Sequence, residues 1–198
     1  MKLRILLATI VVMFSAGAIP TAESFATTSY TDRDVSTGQL IIIDQLGNEK
    51  FLVNEYPEMK CLALNVYYEA RSSSLADQYA VADVVLNRVQ DRRYPNSICA
   101  VVQQGKQKPS WKDPNKMVMV RNMCQFSWYC DGKDDEPQDT NSWTRAQMIA
   151  WNIYYHDKYR GITESATHYH AEYVNPKWAS QLQLVGRIGS HIYYRWEK

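Results

Sequence analysis

The sequence predicts a single α+β domain that is mainly helical and carries a small β-element. Three segments repeat apolar residues at helical spacing, at 57–71, 75–91 and 143–160. Shorter runs rich in β-branched and aromatic residues stand near both ends of the chain. Of the 198 residues, 45% are hydrophobic and 22% are charged, which is sufficient to build one well-buried core.

The N-terminal residues 1–26 have the features of a secretory signal peptide. Lys2 and Arg4 precede the apolar run 5–19, and the small residues Ser24 and Ala26 offer a cleavage site. The run is shorter than the roughly 20 residues of a membrane-spanning helix, with an uncleaved anchor as the alternative. We therefore expect export to the periplasm or the extracellular space, without stable membrane insertion after cleavage.

The segment 27–56 is predicted to be an N-terminal lead-in that contains a hairpin. Residues 27–38 are polar and rich in Thr and Ser, which favours a flexible, irregular conformation. Residues 39–53 then contain two strand-like runs around a turn at Leu46-Gly47-Asn48. The remaining residues, 57–198, form the main folded domain.

Polar residues mark the starts of the later helices. Ser97 is the predicted cap of a short helix at 98–104. Ser142 is the predicted cap of the third long helix, which Gly161 ends.

The rest of the domain is less regular. Residues 104–142 are rich in Gly, Pro, Lys and Asp, and a loop of this length inside a compact domain is commonly functional. Asn175 and Pro176 predict the start of another short helix. Residues 187–196 predict a final strand.

The charge balance argues against nucleic acid as a partner. The formal net charge is +1 and falls to about zero without residues 1–26, whereas nucleic-acid binding calls for a basic face. The chain has 14 Tyr and 6 Trp against 4 Phe. Tyr and Trp suit surfaces that stack on sugars or peptides.

Four cysteines are present, and export favours disulfide bonds between them. The even count predicts two bridges and leaves all three pairings open. The spacing has no C-x-x-C pattern of the kind found in zinc sites. The candidates for disulfide bonding are Cys61, Cys99, Cys124 and Cys130.

Glu69 is a carboxylate on the apolar side of the first helix. At about 100° per residue, it lies roughly 60° from Val66, directly beside Leu62 and Ala63. Burial raises the pKa of a carboxyl, so Glu69 could hold a proton near neutral pH and act as a general acid. The structural alternative is that Glu69 pairs with Arg71, with Arg88 or with a helix N-terminus.

The order of several short segments resembles the SleB-type cell wall hydrolases, the family of spore cortex-lytic enzymes and their relatives. The resemblance covers roughly residues 58–195. The segments, in chain order, are NVYYEAR, AVADVVLNRV, YPNSICAVV, CQFSWYCDG, ATHYHAEYVNPKWA and RIGSHIYY. One departure is that relatives often read E-A-R-G-E, where this chain has Ser72 and Ser73 after Arg71.

The resemblance implies a lysozyme-like catalytic domain at 57–198 that cleaves peptidoglycan glycan strands. It also implies that Glu69 is the catalytic acid/base. The expected partner is the glycan strand itself, bound by a monomer without a cofactor or metal.

A single carboxylate is sufficient for a lytic transglycosylase. Such an enzyme protonates the glycosidic oxygen between N-acetylmuramic acid and N-acetylglucosamine and then lets the muramic acid C6 hydroxyl attack C1. Hydrolysis with water is the alternative, and it calls for a second carboxylate roughly 5–9.5 Å away. The acids of the long loop are expected to be solvated, namely Asp131, Asp134, Asp135 and Glu136.

The remaining motifs supply candidates for substrate contact. Gln125 and Ser127 can hydrogen-bond sugar hydroxyl or acetamido groups, and Trp128, beside Phe126, offers an apolar platform. Tyr169 and His170 are the next candidates. Asn87, in contrast, is expected to hold a backbone segment.

Three alternatives remain open from the sequence. His168, His170 and Glu172 would share one face of a strand and could hold zinc, as in an amidase or peptidase that cuts the stem peptide. Cys61, with His168 or His170 as its base, could be the nucleophile of a peptidase. The third alternative is a peptidoglycan-binding module without turnover.

Overall fold

The computed structural model describes residues 29–33, 40–43, 49–51 and 56–197. The predicted signal peptide, residues 1–26, lies outside the described residues. Within the described ranges, no helix combines the length and the apolar character needed to cross a membrane.

The N-terminal segment forms a three-stranded antiparallel sheet in the order β1-β2-β3. The strands β2 and β3 are the two runs of the predicted hairpin. The strand β1 lies in the segment predicted to be irregular, so that prediction was wrong. An unpaired edge of β2 would expose its backbone groups, and pairing with β1 satisfies them. The bounds are β1 Ser29–Arg33, β2 Leu40–Ile43 and β3 Glu49–Phe51.

Four helices build the core of the main domain, and α1 packs against α2, α3 and α4. Their apolar faces meet in one large cluster, as the helical spacing predicted. The bounds are α1 Pro57–Ala70, α2 Leu75–Gln90, α3 Ile98–Val102 and α4 Thr140–Tyr155. The fully buried side chains include Leu62, Val66, Val81, Val84, Val85, Ile149 and Ile153.

A carboxylate and a disulfide join α1 to α3. The Glu58 carboxylate accepts hydrogen bonds from the backbone N–H groups of Ile98 at 2.5 Å and Cys99 at 3.2 Å. It therefore satisfies donors at the start of a neighbouring helix, where an anion is favoured. A disulfide joins Cys61 to Cys99, with 5.2 Å between their Cα atoms.

The helix α4 begins and ends earlier than predicted. Its cap is Asp139, whose side chain accepts from the Ser142 N–H at 2.8 Å, so Ser142 is not the cap. The helix ends at Tyr155, because Asp157 and Tyr159 adopt positive φ angles of 48° and 62°. Such angles interrupt a right-handed helix.

The segment 104–142 is more ordered than predicted. It contains a hairpin, β4 Gly105–Pro109 and β5 Met117–Cys124, followed by a 3₁₀ turn at Ser127–Cys130. A second disulfide, Cys124–Cys130, closes the loop that follows the hairpin. Together with Cys61–Cys99, this settles the pairing of the four cysteines.

A third sheet, in the order β6-β8-β7, packs against α2. The final strand predicted at 187–196 is interrupted: residues 187 and 188 end β7, Gly189 turns the chain with a φ of +57°, and residues 191–195 form β8. A Cβ at Gly189 would lie 2.7 Å from Asp77 Oδ2, so the turn needs glycine. The bounds are β6 His168–Ala171, β7 Gln183–Ile188 and β8 His191–Arg195, with a 3₁₀ turn at Lys177–Gln181.

The α+β class is therefore confirmed, although the described residues form three small sheets where one small β-element was predicted. The helical core lies on one side and the β6-β8-β7 sheet on the other. The helix α2 contributes to both apolar clusters, and Tyr169 of β6 packs against both. This junction between helices and sheet is where the candidate site lies.

Candidate active site

Glu69 occupies the last turn of α1, where the helix emerges from the core. Leu62 and Ala63, its neighbours on the helix face, are completely buried. The Glu69 side chain itself is only partly exposed. The residue is therefore largely enclosed by protein but not sealed from solvent, as the helical spacing predicted.

One direct hydrogen bond orients this carboxyl. The Tyr169 hydroxyl of β6 donates to Glu69 Oε2 at 3.1 Å. Burial raises the pKa of Tyr169 well above its usual value, so the phenol keeps its proton and remains a donor. The bond joins two residues that are 100 positions apart in the chain.

The electrostatic balance leaves Glu69 easier to protonate than an ordinary glutamate. Burial raises its pKa above the usual value. The Tyr169 hydrogen bond and the positive charges of His191 and Arg88 lower the pKa, but they do not cancel the effect of burial. A carboxyl with a raised pKa is suited to proton donation.

Arg88 of α2 is a buried cation near this carboxyl. Its Nε donates to the Thr167 carbonyl oxygen at 2.8 Å, and its guanidinium lies over the rings of Tyr94 and Phe126 at 5.4 and 5.1 Å. It forms no ion pair with Glu69 among the bridges between described residues. The alternative of a Glu69 committed to an arginine is therefore not what the structure shows.

Beneath Tyr169 lies a fully buried carboxylate, Asp77. It accepts from His191 Nδ1 at 2.9 Å, from the Tyr193 hydroxyl at 2.6 Å and from the Ser190 N–H at 3.0 Å. These bonds hold the pKa of Asp77 below its usual value despite burial, so it is ionised. The rings of His191 and Tyr193 in turn contact the Tyr169 ring, at centroid distances of 5.1 and 5.6 Å.

The opposite side of Glu69 is an aromatic wall. Tyr68, the preceding residue, stacks on Trp128 with 4.8 Å between ring centroids. The Trp128 indole N–H donates to Asn65 Oδ1 at 3.2 Å. Trp128 is only 8% exposed, so it offers no free face to a sugar, contrary to the predicted platform. The partly exposed ring is Tyr68.

The disulfide-closed loop contributes polar groups beside this wall. Gln125 and Ser127 are exposed, as substrate contact requires, whereas Phe126 is buried between them. The acidic segment that follows approaches Tyr68. Burial and the charge of Asp135 are the main causes that raise the pKa of Tyr68 to about 12.

The chemistry of the side chains around Glu69, and not the size of a cavity, identifies this region as the candidate site. A cavity of about 650 Å³ lies elsewhere, between the end of α2 and the end of β8. Its lining residues include Arg92, Arg93 and Trp196 but not Glu69.

Residues 72–194 match the family model described as Cell Wall Hydrolase. The chain belongs to this family. The resemblance seen in the sequence is thereby confirmed, and the protein is an enzyme that cleaves peptidoglycan. The matched residues begin three positions after Glu69, so the role of Glu69 rests on the geometry described above.

Two solved structures resemble this cell wall hydrolase. The catalytic domain of SleB from Bacillus anthracis, described as a germination-specific lytic transglycosylase, is 24% identical, with a TM-score of 0.50. The match covers 73% of this chain and all of that one. The catalytic domain of Bacillus cereus SleB is 22% identical, covers 71% and 91% of the two chains, and has a TM-score of 0.45. No curated protein sequence matches the chain significantly.

His170, which was predicted as a substrate contact of this hydrolase, lies on the far side of β6 together with His168. Neighbouring residues of a strand point to opposite faces, and Tyr169 takes the face toward Glu69. His170 Nε2 lies 3.0 Å from the Tyr194 hydroxyl, and its ring contacts Trp178. His170 is therefore not part of the wall around Glu69, contrary to the prediction.

The zinc alternative lacks its third ligand. Glu172 lies beyond the end of β6 and pairs with Arg187, away from the imidazoles of His168 and His170. Among the side chains that the structure describes, no group of three His, Cys, Asp or Glu residues is arranged to hold a metal.

The thiol-nucleophile alternative is excluded by the first disulfide. Cys61 is bonded to Cys99, so it has no thiolate to offer. Asn87 has the structural role that the sequence predicted. Its side-chain amide donates to the Ala166 carbonyl oxygen at 2.9 Å and to the Thr163 hydroxyl at 3.0 Å, which anchors the loop before β6.

Three contributors to the site were not identified from the sequence: Tyr68, Asp77 and His191. Asp77 could have been suspected, because it lies seven residues before Val84 and so shares the buried face of α2. An acid on such a face needs buried partners. The identity of its partner His191, which is 114 positions away, has no local signal.

Proposed function

We propose that this cell wall hydrolase cleaves the glycan strand between N-acetylmuramic acid and N-acetylglucosamine as a lytic transglycosylase, with Glu69 as the only acid/base. The observation that carries the proposal is the Glu69 carboxyl itself. It is partly exposed, has a raised pKa, and is oriented by Tyr169. The charged groups that act on it are His191 and Arg88, with no second carboxylate among them.

The reaction begins with proton donation. Protonated Glu69 transfers its proton to the glycosidic oxygen as the bond from that oxygen to muramic acid C1 breaks, and the electron pair leaves with the oxygen. Positive charge then develops at C1 and the ring oxygen. The Glu69 carboxylate formed in this step stabilises that charge, since the two lie in a partly desolvated site.

The second half of the reaction uses the same residue as a base. The muramic acid C6 oxygen forms a bond to C1, and its proton passes to the Glu69 carboxylate. The product carries a 1,6-anhydro ring, no water is consumed, and Glu69 returns to its protonated state. Tyr169 acts through Glu69, because its hydroxyl is already engaged by the carboxyl.

The substrate contacts are assigned to side chains that are exposed to solvent. We assign Gln125 and Ser127 to hydrogen bonds with sugar hydroxyl or acetamido groups, because both are exposed beside the aromatic wall. Tyr68 takes the stacking role predicted for Trp128, and Trp128 supports it from beneath. His170 is not retained as a contact.

The test is Glu69→Gln, which keeps the shape of the side chain and removes its proton chemistry. We expect cleavage of purified sacculi to fall by about 10²–10⁴-fold, while sedimentation shows unchanged binding to the sacculi. The matched control is Glu172→Gln, which should retain full activity. Cleavage that survives in Glu69→Gln, or that is lost in Glu172→Gln, contradicts the proposal.

One observation favours hydrolysis as a second candidate. Asp135 lies near Tyr68, and burial together with neighbouring acids raises its pKa. It could therefore activate a water molecule as the second carboxylate of a muramidase. Mass spectrometry of the digest separates the two reactions. The anhydro product supports the transglycosylase, and a reducing end, heavier by one water, supports hydrolysis.

A further inference from the structure

The hairpin β4–β5, residues 105–124, extends from the domain as an arm. Nearly all its residues are exposed or half-buried, and among the strands that the structure describes these two pair only with each other. Its base is fixed by the Cys124–Cys130 disulfide and by a bond from the Gln125 N–H to the Gln104 carbonyl oxygen at 2.9 Å. A two-stranded hairpin buries little surface, so its own stability does not explain its presence.

The arm concentrates positive charge. It contains five basic residues and one acidic residue, a net charge of +4, whereas the whole chain carries +1 and the rest therefore carries −3. Lys106 and Lys108 are exposed and take part in no ion pair between described residues. Arg121, at the base, is already engaged through a bond to the Asp131 carbonyl oxygen. The unpaired lysines thus lie along β4, with Lys106 next to the base and Lys108 nearer the tip.

The tip presents a large aromatic side chain. Trp111 is 87% exposed, and its one close charged neighbour among the described residues is Lys112, with Nζ 5.3 Å from the ring centroid. Met117 and Val118 beside it are also exposed. Large exposed apolar side chains gathered near one end of an element, with lysines around them, suit a contact surface.

The arm is continuous with the active-site wall. The disulfide at its base closes the loop that holds Gln125, Ser127 and Trp128, and Trp128 stacks on Tyr68, which directly precedes Glu69. A polymer seated at Glu69 therefore has its flanking units close to the arm.

We propose that the arm binds the acidic stem peptides attached to the glycan strand that is being cleaved. The inference rests on the proposed function, since only a bound glycan strand brings its peptides here. Lysine ammonium groups pair with the peptide carboxylates, and Trp111 packs against the peptide backbone. Individual exposed ion pairs are weak, but the peptides recur along one strand and add to its binding through a raised effective concentration.

The test compares two soluble substrates: uncross-linked glycan strands that carry their peptides, and the same strands after an amidase has removed them. The quantity measured is the ratio of kcat/KM on the first to kcat/KM on the second. In Lys106→Gln/Lys108→Gln, and separately in Trp111→Ala, we expect this ratio to fall about tenfold. The matched control, Lys158→Gln/Lys177→Gln, removes the same charge elsewhere and should keep the wild-type ratio.

Other results would overturn the inference. They are an unchanged ratio in both arm variants, an equal fall in the control, or charge-dependent binding of the arm to phosphatidylglycerol vesicles together with an unchanged ratio. Binding of the Glu69→Gln variant to peptide-bearing strands, measured with and without the arm substitutions, tests the same contact without turnover. A failure of the proposed chemistry therefore remains distinguishable from a failure of the arm to bind peptides.

Discussion

The Glu69 carboxyl is subject to opposing influences within a few ångströms. The protein around it favours the neutral acid, whereas the Tyr169 hydroxyl, held 3.1 Å away, favours the ionised form. An acid that first donates a proton and then accepts one must be able to adopt both its neutral and its ionised form. The single tyrosine therefore contributes to the balance, together with His191 and Arg88, as well as to the orientation.

Removal of this hydroxyl gives a pH prediction. In Tyr169→Phe the carboxylate loses a donor, so the pKa of Glu69 rises further and the acid stays protonated to higher pH. We expect the alkaline limb of kcat/KM to move to higher pH and kcat to fall roughly tenfold to a hundredfold, as orientation is lost. A pH–rate profile checks this, with Tyr173→Phe, at an 88% exposed tyrosine, as the control. An alkaline limb that stays in place or moves down contradicts it.

Residue-level prediction from the sequence succeeded where the signal was local. Helical spacing placed Glu69 at the edge of the apolar stripe because its neighbours Leu62 and Ala63 are on the same helix. The same reasoning could not identify Tyr169 as the hydrogen-bond donor to Glu69, and it could not predict that Trp128 is buried. Both features depend on contacts made by distant segments. Burial of Trp128 in particular depends on Asn65, which accepts its indole N–H.

At the scale of elements, the strand β6 separates two environments. Tyr169 faces Glu69, while His168 and His170 face a cluster of aromatic rings from the C-terminal segments. The ring of His168 contacts those of Trp178 and Trp196, at 5.4 and 5.5 Å. Burial, with the positive charges of Arg88 and Arg93, lowers the pKa of His168 to about 4.

This lowered pKa has a consequence for stability. Between about pH 6.5 and about pH 4, the unfolded chain protonates His168 and the native protein does not, so the free energy of unfolding falls as the pH falls. We expect the free energy of unfolding of His168→Gln to fall less steeply with pH across that window. Urea unfolding at pH 7, 5.5 and 4.5 measures it, with the exposed His156→Gln as the control. An unaltered slope in His168→Gln would show that this imidazole is not held neutral.

Element boundaries departed from prediction where tertiary contacts override local signals. Asp139 and Ser142 are both good caps by type, and the choice between them follows from the Tyr67 hydroxyl, which accepts from the Asp139 N–H at 3.0 Å and so fixes the helix start. The β4–β5 hairpin was missed because β4 is polar and basic and β5 begins with the unbroken apolar run 117–120. It pairs without a buried face, so it lacks the alternating pattern that predicts a strand.

For the whole molecule, the two disulfides have different tasks. Cys61–Cys99 spans 38 residues and joins two core helices, whereas Cys124–Cys130 spans only 6 and closes one loop. Loop-closure entropy predicts a loss of about 4 kcal/mol in Cys61→Ser/Cys99→Ser and about 2 kcal/mol in Cys124→Ser/Cys130→Ser.

Activity should follow the opposite order. At a temperature where both variants are folded, we expect the Cys124→Ser/Cys130→Ser enzyme to lose more activity on sacculi, because the loop with Gln125 and Ser127 is released. Urea unfolding and a sacculus assay on the same preparations test both statements. A larger stability loss from the short bridge, or a larger activity loss from the long one, would count against these roles.

The class of fold was predictable from the sequence, since helix periodicity is strong in all three long helices. The arrangement of the sheets was not, because strand pairing across the chain is decided by packing against α2 and by the buried Asp77 that ties down the β7–β8 turn. That tie links residues 113 positions apart.

The placement of the acid on α1 also governs how a long strand can be loaded. This helix packs against the other three, so the backbone that carries Glu69 is held by the core. Gln125 and Ser127 lie instead on a surface loop that one short disulfide closes. We therefore expect substitutions in that loop to change which glycan strands are accepted while the acid stays in place.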